Sequence, residues 1–157
     1  MPKIQKTILS DSPCVALATR KASRRLSQLF DSALAPAGLR STQYAILSAL
    51  ERRSKAPPTI VELAEALVMD RSALGHNLRP LERDGLVALE STVKDLRRRH
   101  VVMTATGRSR HNEASKLWKR AHDRLERVIG KARAMKLRAA LLEIAYAKYL
   151  GRVPDRV

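Results

Sequence analysis

The sequence is poor in most of what disulfide scaffolds, membrane spans and catalytic sites require. One cysteine in 157 residues excludes an internal disulfide and an all-cysteine metal cluster within one chain. Aromatic residues make up only 3%, which argues against single-strand binding by stacking bases on aromatic platforms. No apolar run approaches the ~20 residues that a membrane-spanning helix needs. The N-terminal stretch MPKIQKTILSDSPCVALATRK has no sustained hydrophobic segment of the secretory kind. HExxH, a Gly-rich phosphate loop and a serine elbow are all missing. The histidines, His76, His100, His111 and His122, are scattered. His111 and His122 fall roughly three helical turns apart, too far to share one metal within a chain. The expectation is a cytoplasmic protein that is not an enzyme and uses neither cofactor nor metal.

Acidic side chains are also scarce. Asp and Glu number 15 against 31 Lys and Arg, for a net charge of +16 and a pI near 11.0. A chain of this length forms one domain around a single sizeable core. So much like charge repels itself in one compact body, which makes an anionic partner natural. Nucleic acid, an acidic membrane surface and an acidic protein all fit that description.

Apolar periodicity organises what is present. Cys14, Ala18, Ala22, Leu26, Leu29 and Ala33 recur at helical steps, predicting a helix over residues 13–35 that Pro36 and Gly38 end. Ser41 is placed to cap a short helix, STQYAILSALERR, closed before Pro57-Pro58. Thr59 and Glu62 form a capping box for TIVELAEALVMD. Asp70 is then positioned to cap RSALGHNLRPLERDG, which Gly85 closes and Pro80 should kink. LVALE and RHVVM read as two strands around a basic loop over residues 91–98. Thr104 caps a long helix interrupted at Gly130, and a last helix covers about residues 132–150.

Two short helices joined by a tight turn, the second polar in its N-terminal half, match a helix-turn-helix. Ser72, Ala73 and Gly75 are small enough to let that helix approach base edges, with Arg71, His76 and Asn77 alongside to bond them. Arg79 and Arg83 lie further along, better placed for phosphates. The alternative is a bracing surface in an ordinary helical bundle. The basic hairpin that follows weighs against it, because a hairpin after a recognition helix is a wing. Arg97 can enter the narrow minor groove, where the potential is most negative. Asp95 is close enough in sequence to hold it extended by an ion pair, and Arg98 and Arg99 would meet flanking phosphates.

With these residues in view, the chain resembles the MarR family of winged helix-turn-helix regulators over nearly its whole length. The likeness rests on GLRSTQYAILSAL, on TIVELAEALVMDRSALGHNLRPLERDGLV and above all on DLRRRHVVMTATGR. In the last, Asp95, Arg97, Thr104 and Gly107 fall in register with the family's wing signature. Three departures stand out: Gly75 and His76 replace residues common in relatives, and Leu96 replaces an arginine often found in the wing. The resemblance implies a mainly α fold with a small β-hairpin wing. Residues 40–106 would form the DNA-binding lobe, residues 1–36 and 108–150 the dimerisation helices, and 151–157 a tail. It also implies a homodimeric repressor on a near-palindromic double-stranded operator.

Family likeness further implies a small anionic aromatic or phenolic effector, for which Lys21, Arg24 and His111 are candidate contacts. Cys14 invites a redox reading. Its place on the apolar stripe argues instead for an inert buried thiol, and the sensing position of peroxide-responsive relatives falls nearer Ala16. A non-sequence-specific architectural DNA- or RNA-binding protein is the alternative function. No membrane partner is expected: the basic helix RSRHNEASKLWKRAHDRLERVIGKARAMK carries interspersed Glu113, Asp123 and Glu126, and its apolar face suits a partner helix better.

Overall fold

The computed structural model describes residues 14–92 and 95–147, with residues 92 and 95–98 described by backbone alone. Among the described residues, six α-helices, a 3-10 turn (Ala35–Ala37) after the first of them, and one hairpin follow in order: α1 (Val15–Leu34), α2 (Ser41–Arg52), α3 (Ile60–Ala66), α4 (Arg71–Arg83), β1 (Val87–Thr92), β2 (Asp95–Met103), α5 (Ala105–Ile129) and α6 (Lys131–Tyr146). Leu34 of α1, Ile46 and Leu47 of α2, Leu63 of α3, Leu74 and Leu81 of α4 and Val101 of β2 are fully buried together. The helix-turn-helix thus shares one core with the helix before it and the hairpin after it.

Local capping explains most boundaries. Thr59 Oγ1 accepts the Glu62 amide at 3.3 Å while a Glu62 carboxylate oxygen accepts the Thr59 amide at 2.8 Å. Asp70 accepts the Ala73 amide at 2.7 Å, and Thr104 accepts that of Gly107 at 2.9 Å. At α2 the expectation fails. Arg40 is the capping position and Ser41 already lies inside the helix. Asp31, reaching across from α1, takes the Ser41 amide at 2.7 Å, and Gln43 takes that of Arg40 at 2.9 Å. With both amides satisfied, the Ser41 hydroxyl has no capping task.

Other boundaries move as well. α1 begins at Val15, with Cys14 as its exposed N-cap rather than a buried member of the stripe. α4 continues through Pro80 to Arg83, so the proline lies inside the helix and does not end it. The carbonyl that Pro80 leaves unbonded belongs to His76, which is exposed, so water can satisfy it. α6 ends at Tyr146, and Tyr149 lies outside the described residues.

The strands are longer than expected. β1 and β2 pair antiparallel from Val87–Met103 through Ser91–Arg99, then the register shifts so that Thr92 faces Asp95. Leu96, Arg97 and Arg98 therefore belong to β2 and bulge from the ladder instead of forming a loop. The stretch before α3 adds a bridge to the other edge of β2. Thr59 pairs with His100, the Val101 amide donates to Pro58 O at 2.8 Å, and His100 Nδ1 donates to Pro57 O at 2.9 Å.

Two joints tie α5 to this lobe. At its start, Thr104 Oγ1 donates to Gly85 O at 2.6 Å and the Thr104 amide to Leu86 O at 3.1 Å. Gly107 packs so closely that an added Cβ would overlap the Leu86 carbonyl. Further along, Trp118 stacks with Phe30 (5.9 Å between centroids), Tyr44 (6.0 Å) and His122 (4.8 Å), knitting α1, α2 and α5. Gly107→Ala must push backbone apart, so it should cost about 2–3 kcal/mol of stability. Denaturant unfolding of the purified variant checks this.

Candidate nucleic-acid interface

The α3–α4 turn sets the aim of α4. Val68 adopts a left-handed backbone at φ 52°, a conformation that strains a β-branched residue. It lets the Met69 amide return to Ala64 O at 2.9 Å and places Asp70 at the cap. Asp70 also accepts the Ser72 hydroxyl at 2.7 Å. The Ala73 amide, then the Ser72 hydroxyl, hold the Asp70 carboxyl below its ordinary range, so the cap stays charged.

α4 then divides cleanly. Leu74, Leu78 and Leu81 face the core, while Arg71, Ser72, His76, Arg79 and Arg83 are exposed. Ala73, Gly75 and Asn77 lie half-buried at the margin. Besides Ser72, two of these groups are already engaged locally. Asn77 Nδ2 donates to Ala73 O at 2.8 Å, and Arg83 pairs with Asp84 at 2.9 Å. That bond raises the Arg83 pKa and lowers the Asp84 one. Among the described residues, no side-chain hydrogen bond or ion pair engages Arg71, His76 or Arg79. A Cβ at Gly75 would meet nothing within 4 Å, so internal packing does not require glycine there.

Beyond α4, the hairpin projects with Val101 buried at its root and Arg99 exposed opposite Ser91. The side chains of Asp95, Arg97 and Arg98, and with them the expected ion pair, lie outside the described ones. α4 and the hairpin are consecutive and share the core, so the exposed cations on the helix and Arg99 on the strand belong to one packed lobe. Such a surface can hold a phosphate backbone while polar tips reach into grooves.

A helix-turn-helix domain family matches residues 39–90, which spans α2, the helix-turn-helix and most of β1. Among solved structures, the transcriptional regulator MosR of M. tuberculosis is 31% identical. The match covers 87% of this chain and 98% of MosR, with a TM-score of 0.74. This chain belongs to the MarR family. MosR in complex with DNA is 30% identical over 89% of this chain and 99% of that one, with a TM-score of 0.78. The transcriptional repressor CouR, bound to a 23-mer DNA duplex, matches at 27% identity. That alignment covers 84% of this chain and 92% of CouR, with a TM-score of 0.77. CouR bound to p-coumaroyl-CoA matches at 25% identity over 85% and 93% of the two chains, with a TM-score of 0.76. No curated protein matches the sequence. As a MarR-family protein the chain is a winged helix-turn-helix, DNA-binding transcription regulator, and the relatives named here are regulators rather than enzymes.

The three residues expected to meet an effector do not converge. Phe30 stacks on Trp118 and Arg110 Nη1 donates to Ala37 O at 2.8 Å, so α1 and α5 run antiparallel. Arg24 lies thirteen residues before Ala37, roughly 20 Å along the axis from the level of His111. Lys21 and Arg24 are exposed, whereas His111 is buried, hydrogen-bonded through Nε2 to Ser48 Oγ at 3.0 Å and stacked on Tyr44. Among the described residues, grooves open elsewhere along α5. One, of about 620 Å³, is lined by Arg25, Leu29, Leu117, Arg120 and Arg124 among others. The second, of about 420 Å³, is an apolar one between α1, α5 and α6 that includes Phe30, Trp118 and Leu141. Arg120 and Arg124 could have been noticed from their one-turn spacing, but the partnership with Arg25 is tertiary.

Burial holds the His111 imidazole below its ordinary pKa of 6.5, with Arg108 and Arg52 opposing protonation and Glu51 favouring it less strongly than burial opposes it. Nδ1 has no partner among the described residues. The unfolded chain takes up this proton as pH falls through 6.5 while the folded chain resists. The stability is therefore present above that value and lost as pH falls towards the folded one. Melting temperature measured from about pH 7.5 to 5 should fall more steeply in wild type than in His111→Gln.

Proposed function

We propose that the chain is a cytoplasmic homodimeric repressor that binds a near-palindromic duplex and is released by a small anionic aromatic effector. α4 enters the major groove, with Ser72, Ala73 and Gly75 providing clearance and Arg71, His76 and Asn77 reading base edges. Arg79, Arg83, Arg98 and Arg99 neutralise phosphates, and Arg97, steadied by Asp95, enters the minor groove. The observation that carries this reading is Gly75. A glycine inside an exposed helix costs about 1 kcal/mol relative to alanine, and nothing inside the protein crowds it. Close approach by an external partner accounts for that cost.

Dimerisation is supported by what α6 leaves uncovered. This helix has no buried residue, and Met135, Leu137, Leu141, Leu142, Ile144 and Tyr146 are all exposed, as are Val15, Leu17 and Val128. A helix so apolar on several sides belongs inside a larger assembly. Residues 1–36 and 108–150 supply the pairing surface and residues 40–106 the DNA-binding lobe. Residues 1–13 and 148–150, with the tail 151–157, lie outside the described residues. No helix among the described residues is long and apolar enough to cross a membrane. CouR's two partners, a duplex and p-coumaroyl-CoA, support an effector-released repressor as the working scheme.

Selection from a random duplex library tests the reading. The expected product is two inverted half-sites about one helical turn apart; enrichment of no motif would favour the architectural alternative. On the selected duplex, Arg97→Ala should weaken binding by about tenfold or more at unchanged dimer mass. Gly75→Ala should raise the melting temperature by about 2–4 °C yet lower duplex affinity; equal affinity would remove the clearance role.

A further inference from the structure

Ser72 stands exposed in the first turn of α4, yet its proton is already engaged. Oγ donates to Asp70 Oδ1 at 2.7 Å, and the same oxygen accepts the Ala73 amide at 2.7 Å. Asp70 is kept ionised by the Ala73 amide and then by Ser72 itself. A hydroxyl bonded to a carboxylate at this length makes one of the stronger kinds of hydrogen bond. Serine has a single hydroxyl proton and two lone pairs. With the proton turned back to the cap, Ser72 offers lone pairs outwards, and donation to an anion makes them better acceptors.

An outward acceptor narrows what a duplex can present to it. Phosphate oxygens are themselves acceptors, so Ser72 could meet the backbone only by giving up Asp70. In the major groove guanine and thymine show acceptors at N7, O6 and O4, whereas adenine N6 and cytosine N4 are the donors. Every base pair carries one such amine, on one strand or the other, so the choice is between strands. A serine side chain is short and needs the helix close. Gly75, three residues on and therefore on the same face, has no Cβ and nothing within 4 Å of where one would stand. Arg71, His76 and Arg79 carry donors and serve the acceptors of phosphate and guanine; Ser72 supplies the opposite polarity. We propose that Ser72 is a specificity-determining residue that selects adenine or cytosine, through the exocyclic amine, on the strand facing it. The inference rests on the placement of α4 in the major groove and gives Ser72 a reading role beyond clearance.

Duplex selection by the full-length wild type and by Ser72→Ala, from the same random library, tests this. Alanine suits a helix and leaves the bond from the Ala73 amide to Asp70 in place, so the variant keeps its fold. The wild-type motif should hold, in each half-site, one position restricted to A or C that loses its restriction in Ser72→Ala while the other positions stay as they were. Adenine at that position is then replaced by purine riboside, which lacks the exocyclic amine. The replacement should weaken wild-type binding by about fivefold or more and change Ser72→Ala binding by less than about twofold. A Ser72-dependent position restricted to G or T would show the hydroxyl donating and overturn the inference. Uniformly weaker binding of Ser72→Ala with an unchanged motif would overturn it by giving Ser72 a phosphate contact. Equal sensitivity of both proteins to the missing amine would overturn it by assigning that amine to another side chain. These three outcomes leave the regulator reading standing, whereas recovery of no motif by the wild type would sink that reading and this inference with it.

Discussion

The close contact between the first turn of α5 and the backbone at Leu86 governs how the parts of this protein move together. Thr104 bonds Gly85 and Leu86, and Gly107 leaves room for that carbonyl to nestle against the helix. Gly85 and Leu86 lead out of α4 and into β1. The recognition helix, the wing and the long helix are thereby fastened at one point, where Gly85 and Leu86 meet Thr104 and Gly107. A displacement of α5 cannot be absorbed there by a soft side chain, because the contact is backbone against backbone. A shift of the first turn of α5 therefore bears directly on the Leu86 backbone at the root of β1.

Charge is distributed in keeping with that rigidity. A net charge of +16 would be costly in a protein of this size if it were packed inwards. The core excludes it: among the described residues His111 is the buried polar side chain, and its surroundings keep it neutral. Basic side chains instead lie on the outer face of α4, at Arg99 of β2 and along the groove between α1 and α5. The bulge at residues 96–98 adds to this. Three residues without opposite numbers force extra twist into the strand, and the arginine run falls where the ladder is broken.

Caps were legible in the sequence because they are local: Thr59 with Glu62, Asp70 and Thr104 each act within three residues. The division of α4 into a leucine face and a polar face was legible for the same reason, through its period. What escaped depended on distance along the chain. Asp31 caps α2 from ten residues away, displacing Ser41, and residues 57–59 add a strand pairing that a Pro-Pro connector does not advertise. The strands outran their apolar segments because charged residues carry little β propensity, and only pairing extends them. His111 read as a candidate effector contact, but it is buried against Tyr44 and Ser48, more than sixty residues earlier. Asn77 and Arg83 read as outward-facing groups, although each had a nearby partner, Ala73 O and Asp84.

The ring stack holds a further consequence. Trp118 is the single tryptophan of the chain, and it sits where α1, α2 and α5 meet, between Phe30, Tyr44 and His122. Its indole emission therefore comes from one known location, with an imidazole and a phenol as immediate neighbours. The protein carries a built-in optical gauge of how α1 and α5 sit on α2, readable without any attached dye.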